Sequence, residues 1–274
     1  MSQSMPSAPA TVTAQDLAGA LSALREQTPL VQCVTNIVVA NFTANVLLSA
    51  GASPAMVDNA AEAEGFARIA SGVLVNLGTP YPDTAQAMAA AVRGSAAGPT
   101  PWVLDPVAAG ALAWRTQLAQ ELVAAHPPTV IRGNASEVMA LDGGAGGKGV
   151  ESVDTAEAAA EIAGTLARKH GSVVAVSGPV DHVTDGERLV RIGNGHPWLT
   201  QVTGAGCALG ALMAAFTGVV EDPLVGAAAA TATFTVAADR AAVTASGPGT
   251  FAVALLDELA GLTPEQLTDA THLS

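Results

Sequence analysis

Short β-branched runs, each followed by a turn and an amphipathic or alanine-rich stretch, recur along the chain. LVQCV (30–34) precedes a helical pattern over 37–50 that Gly51 stops, and PAMV precedes another across 60–70. VLVNL (73–77) leads to a helix from Asp83 to Arg93, WVLD (102–105) to one near 116–125, and TVIR (129–132) to a short one from Asn134. A helix over 155–169 then leads into SVVAVSG (172–178). Alternating strands and helices predict an α/β fold: a mostly parallel sheet covered on both faces, with right-handed crossovers. HVTDGERLVRIG differs, because Asp185-Gly186 between two alternating runs predicts a β-hairpin at a sheet edge. Beyond Thr203 the pattern stays helical almost throughout, broken at SGPGT (246–250). No linker or repeat divides the chain, so a single domain is expected over 15–274 behind a flexible tail at 1–14. The glycine-rich loop DGGAGGKGVES (142–152) is expected to be mobile.

Composition narrows the partners. A chain of 274 residues, half of them hydrophobic and only 3% aromatic, builds its core from alanine, valine and leucine. The net charge of −13 argues against nucleic acid or an anionic membrane as partner. With only 11 basic residues, any phosphate must be held by backbone amides, a metal ion and a few placed arginines. Two cysteines make no disulfide framework and no secretory signal is evident, so a cytoplasmic location is expected. ALGALMAAFTGVV is too short to span a bilayer, and the run from Leu224 meets Asp239 and Arg240 within one crossing. Both read as helices buried in a protein core.

In open parallel sheets, ligands bind beyond the carboxyl ends of the strands. That rule selects Thr35 and Asn36, residues 56–59, Asn76, Asp105, residues 132–137 and Ser177. In TGAGCALGALMAAF, Gly204-Ala205-Gly206 opens a helix, where amides and the helix dipole favour an anion. A plain glycine turn ahead of a buried helix explains the bare pattern equally well. The stretch around Lys148 fails as a phosphate loop, since Asp142 replaces its first glycine and Gly149 its Ser/Thr. IRGNASE gives Asn134 and Glu137 the spacing of a capping box. Capping alone accounts for it, yet Arg132 and a carboxylate at the ligand edge also suit a magnesium–phosphate site. Asp105 in VLDPV is a second such carboxylate, or simply a turn-former ahead of Pro106. Cys207, on a first helical turn, is expected to have a lowered pKa. None of the five histidines lies in a recognisable triad context, and Cys33 reads as a small buried hydrophobe.

Five segments taken together resemble the hydroxyethylthiazole kinase family: TNIVVANFTAN (35–45), GASPAMV (51–57), VLDPVAAGA (103–111), IRGNASE (131–137) and VTGAGCALGA (202–211). They come in order, and the resemblance runs from about Pro29 to the GPGTF segment. It implies a ribokinase-like fold without a separate lid domain, and transfer of the ATP γ-phosphate to 4-methyl-5-(2-hydroxyethyl)thiazole in thiamine salvage. The superfamily's G-A-G-D loop reads here Gly204-Ala205-Gly206-Cys207, a cysteine characteristic of thiazole kinases, and its N-x-x-E motif is Asn134 to Glu137. By resemblance, Arg132 and Ser177 bind ATP, Asp105 and Glu137 organise magnesium, and Met56, Gly204 and Asn36 contact the alcohol. The resemblance also implies a homotrimer with the site between subunits. Two departures, Ile37 and the glutamate of KGVES, bear on substrate contacts alone. The alternatives are a hydroxymethylpyrimidine kinase of the same superfamily, a cysteine-dependent acyl-transfer enzyme, and a non-catalytic nucleotide-binding protein.

Overall fold

The computed structural model describes residues 11–141 and 156–274, so the glycine-rich loop and most of the expected tail lie outside the described residues. Eight strands form one sheet in the order β2-β1-β3-β4-β5-β6-β7-β8. Strands β1 (Leu30–Val34), β2 (Ser53–Ala55), β3 (Gly72–Asn76), β4 (Trp102–Asp105), β5 (Val130–Asn134) and β6 (Val173–Ser177) are parallel. The expected hairpin, β7 (Asp181–Thr184) and β8 (Leu189–Ile192), closes one edge antiparallel. Its turn is four residues long, and Asp185 Oδ1 accepts the amides of Glu187 and Arg188 at 2.9 and 2.7 Å.

The parallel strands are apolar at nearly every position because both faces are covered. Val31, Cys33 and Leu74 enter one core, with α1 (Ala14–Gln27), α2 (Ala40–Ala50), α8 (Ala205–Thr217), α9 (Pro223–Thr244), α10 (Pro248–Gly261) and α11 (Pro264–Ala270). Val34, Val73 and Val75 enter the other, with α3 (Ala60–Ala67), α4 (Pro82–Ala96), α5 (Ala113–Ala125), α6 (Ala135–Leu141) and α7 (Ala156–His170). The two apolar runs of α8 and α9 are indeed core: α8 is buried at eleven of its thirteen positions. Among the described residues no helix is long and apolar enough to cross a membrane.

Three local readings needed correction. Helix α2 starts at Ala40 rather than 37, because Val39 N–H closes a turn on the Asn36 carbonyl at 3.2 Å. The β-branched triplet Ile37-Val38-Val39 does not favour an earlier start. Of PAMV only Pro54 and Ala55 fall in a strand, the short edge strand β2, and a 3-10 turn at Pro197–Gln201 was not foreseen.

Strand order also locates a crevice. From β1 the chain moves outward to β2 and then returns to place β3 on the other side of β1. The carboxyl ends of β1 and β3 therefore flank a topological switch point, where open α/β sheets bind ligands.

Candidate active site

The glycine loop sits over that edge of the sheet. Gly204, at φ +93°, caps α8 in a conformation that disfavours any side chain. The Ala205 amide turns back to the Val202 carbonyl at 3.2 Å, so the helix presents the amides that follow it. A Cβ on Gly206 would stand 2.8 Å from Arg132 Nη1. Glycine there lets the guanidinium lie flat against the loop.

Five strand ends contribute to a continuous string of polar side chains. Asn36, just past β1, donates to Asn76 Oδ1 at 2.9 Å and reaches Cys207 Sγ at 4.0 Å. Asn76, ending β3, donates to Asp105 Oδ2 of β4 at 2.7 Å. The same oxygen lies 3.7 Å from Arg132 Nη1 of β5, whose Nη2 donates to Ser177 Oγ of β6 at 3.0 Å. The string runs from the thiol to Ser177 in the spatial order of the strands. It joins five of the ten site residues expected from the sequence and leaves outside it Glu137, Met56 and the loop residues Gly204, Ala205 and Gly206, the last of which packs against the Arg132 guanidinium.

Burial dominates the electrostatics. Desolvation pushes Asp105 up to about 6, against the pull of Arg132 and with a further push from the Glu137 charge. Cys207 is likewise pushed up to about 11, first by desolvation and then by the Asp105 charge. The lowered thiol pKa expected from its place on a helix is therefore corrected: at that depth desolvation outweighs the dipole. Cys33 is fully buried in β1, as expected, and pushed up to about 12.

Glu137 does hold the capping box, and more. Its Oε2 accepts the Asn134 amide at 2.9 Å, its own amide donates to Asn134 Oδ1 at 3.0 Å, and its Oε1 accepts the Ala108 amide at 2.9 Å. It thereby ties the loop after β4 to the start of α6. Asp105 Oδ1 is buried and has no partner among the described residues. An orphaned carboxylate oxygen beside a second acid fits a divalent cation, which needs only one or two carboxylates and completes its shell with water and phosphate. Their mutual repulsion is what such a cation would relieve.

Beside the string opens a cavity of about 680 Å³. Arg132, Ser177 and Gly206 are among the residues that line it, with Leu199, Phe234 and Pro197 supplying apolar surface. Asp181 also faces it, pushed up to about 6 by desolvation, while accepting the Gly178 amide at 3.0 Å. Met56 stands apart from the string, beyond the end of β2 and 38% exposed. Sequence reading passed over Asp181 and gave Asn76 no role. Asn76 carried a usable signal, a polar residue closing a wholly apolar strand, whereas Asp181 looked like an ordinary turn residue.

A sequence model described as the hydroxyethylthiazole kinase family matches residues 21–265. A protein named hydroxyethylthiazole kinase from Clavibacter sepedonicus is 58% identical over 96% of this chain and 95% of its own. One of the same name from Cutibacterium acnes is 57% identical over 92% of this chain and 91% of its own. The solved structure of a hydroxyethylthiazole kinase protein from Pyrococcus horikoshii OT3 superposes with a TM-score of 0.87 at 38% identity, over 94% of this chain and 98% of that one. A ribokinase-like superfamily protein from Enterococcus faecalis V583 shares only the fold, at a TM-score of 0.65 and 12% identity, over 96% of this chain and 100% of that one.

Proposed function

The chain belongs to the hydroxyethylthiazole kinase family, and on that premise we propose that it transfers the γ-phosphoryl group of ATP to the hydroxyl of 4-methyl-5-(2-hydroxyethyl)thiazole, a step of thiamine salvage. The observation that carries this reading is the polar string, which links an alcohol-side thiol at the switch point to an arginine and a serine lining a nucleotide-sized cavity.

In this reading the cavity takes ATP. Arg132 and Ser177 hold its phosphates, and the apolar walls cover the base. The alcohol lies across the loop, against Asn36, Gly204 and Cys207, with Met56 closing the pocket from the edge of the sheet. Asp105, with its unpartnered oxygen, and Glu137 would hold magnesium. Magnesium, when bound, neutralises charge on the phosphates.

The transition state for phosphoryl transfer is loose, so the protein contributes mainly position and charge stabilisation. The first-turn amides of α8 and the Arg132 guanidinium face the group in transit. The alcohol's proton leaves late, once the forming P–O bond has made it acidic, and needs no strong base. A neutral Cys207 thiol, hydrogen-bonded by Asn36, is adequate to orient the hydroxyl. Its raised pKa also disfavours the acyl-transfer alternative, which requires a thiolate.

We extend the proposal to assembly: copies of the chain form a trimer that completes the site. Ile37 and Val38 are 77% and 63% exposed beside Asn36, an apolar surface at the mouth of the site that a second copy would cover. Sedimentation velocity tests this, and a monomer at micromolar concentration would refute it.

The decisive assay incubates the protein with ATP, magnesium and a panel of thiazole and pyrimidine alcohols. ADP and the phosphate ester are expected with the hydroxyethylthiazole. Turnover confined to hydroxymethylpyrimidine would reassign the substrate, and no turnover with any alcohol would remove the kinase reading.

A further inference from the structure

A second buried polar cluster lies behind the far wall of the cavity. Asn194, Gly195, His196 and Pro197 form that wall between β8 and the 3-10 turn, with no strand ladder to fix them. Asn194 is 7% exposed, yet its side chain is fully engaged. Its Nδ2 donates to Asp239 Oδ2 at 2.9 Å and to the Ala270 carbonyl at 3.0 Å, and its Oδ1 accepts the His272 amide at 2.7 Å. The other Asp239 oxygen accepts the amide of Gly195 at 3.0 Å, where φ is +125°. One helical turn before Asp239, Phe234 and Thr235 of α9 line the same cavity, and a Cβ on Gly195 would stand 3.5 Å from the Thr235 methyl, so the wall packs directly on α9.

Residues 272–274 reinforce this junction from outside. Arg191 and Ser274 exchange two hydrogen bonds of 3.1 Å, Gly193 donates to the His272 carbonyl at 2.9 Å, and Ile192 bridges Leu273. The segment thus extends the sheet past β8 and delivers the His272 amide to Asn194. One asparagine thereby joins the cavity wall, α9 and a segment 78 residues away in sequence.

We infer that Asn194 and Asp239, braced by residues 272–274, are positioning residues for the nucleotide: they hold the Asn194–Pro197 wall against α9 and so fix the shape of the cavity. This rests on the reading of that cavity as the ATP site. The wall has irregular backbone around a glycine; the rings of Trp198 and Phe251 hold His196 at 4.7 and 5.8 Å, and these side-chain bonds fix Asn194 and Gly195 before it. Loosening them lets the wall move away from α9 and weakens nucleotide binding, while the alcohol side, across the glycine loop, is untouched.

The test compares the full chain, a chain stopped after Thr271, Asp239→Ala, and the two changes combined. KM is measured separately for ATP and for the alcohol, and ATP affinity by calorimetry. The KM for ATP is expected to rise about tenfold in each single variant, with the alcohol KM within about twofold. The combined variant should be no worse than about twice the poorer single one, because both changes release the same wall. Equal rises in both KM values, or multiplying effects, would overturn the inference. If the shortened chain does not fold, Asp239→Asn, which keeps an acceptor for Gly195 but places two amide groups together, gives the same comparison. A wild-type protein that binds ATP without turnover would remove the kinase reading yet leave the affinity comparison decisive. Failure to bind ATP would remove both.

Discussion

Asn36 and Asn76 close the two strands that flank the switch point, and their side chains meet there at 2.9 Å. Neither amide is spare. Asn76 also holds Asp105 and accepts the Gly78 amide at 3.0 Å, while Asn36 reaches the Cys207 sulfur. The thiol is therefore oriented by a neutral pair rather than activated by a base.

Replacing that sulfur by a carboxylate should preserve catalysis. Cys207→Asp is expected to keep or raise kcat, since aspartate accepts the same Asn36 hydrogen bond and is the better proton acceptor. Steady-state kinetics of the purified variant check this. Complete loss of turnover in a folded Cys207→Asp protein would point to thiol chemistry.

The buried thiol should also resist alkylation. With Cys207 pushed up to about 11, iodoacetamide labelling is expected to be slow at pH 7.5 and to accelerate as pH rises toward that value. The folded pKa lies above the ordinary 9.0, so the associated stability is present below pH 9 and lost as pH climbs from 9 toward 11. Mass spectrometry of labelled peptides gives the rate, and rapid labelling of Cys207 at pH 7.5 would contradict the burial argument.

Asp105→Asn should separate stability from activity. The folded pKa of Asp105, about 6, exceeds the ordinary 3.8, so its ionisation costs the native state stability as pH rises from 4 to 6. In magnesium-free buffer at pH 7.5, the asparagine variant should be more stable by on the order of 1–3 kcal/mol. That gain should vanish at pH 4. Activity is expected to fall at least a hundredfold, because the unpartnered oxygen that suits the cation loses its charge. Denaturant melts at the two pH values, with kcat, provide the check.

Glu137→Ala removes acceptors from two backbone amides at once, those of Ala108 and Asn134. A loss of about 1–3 kcal/mol in denaturant unfolding is expected, with a large drop in kcat. Glu137→Gln keeps one acceptor and should recover part of the stability but little of the rate.

Gly206→Ala probes the contact between loop and arginine. Its methyl group would stand 2.8 Å from Arg132 Nη1, so the guanidinium must move off the loop. The KM for ATP is expected to rise about tenfold or more, read from initial rates at varied ATP. An unchanged KM would place Arg132 outside the nucleotide site.

How far the sequence could be read depended on the range of the interactions. Runs such as LVQCV and WVLD end where their strands end, because a strand buried on both faces is apolar at nearly every position, with Gln32 and Asp105 the exceptions. Gly51 and Asn134 marked helix boundaries by local backbone chemistry alone. The resemblance brought Arg132, Ser177, Asp105 and Cys207 together as candidates, and the structure connects them. The Asn36–Asn76 pair and the Asn194–Asp239 pair were not visible, because each joins residues 40 or more positions apart through side chains that look like ordinary turn formers. The Cys207 pKa was misjudged for a similar reason, since helix position is local and depth of burial is not.

The glycine loop divides the ligand edge into two compartments, with Arg132 and Ser177 on one side and Asn36 and the thiol on the other. In the proposed reading each reactant has its own compartment, so both are bound before transfer. Initial-velocity plots should therefore intersect rather than run parallel, with the phosphoryl group handed over inside a ternary complex and never parked on the protein.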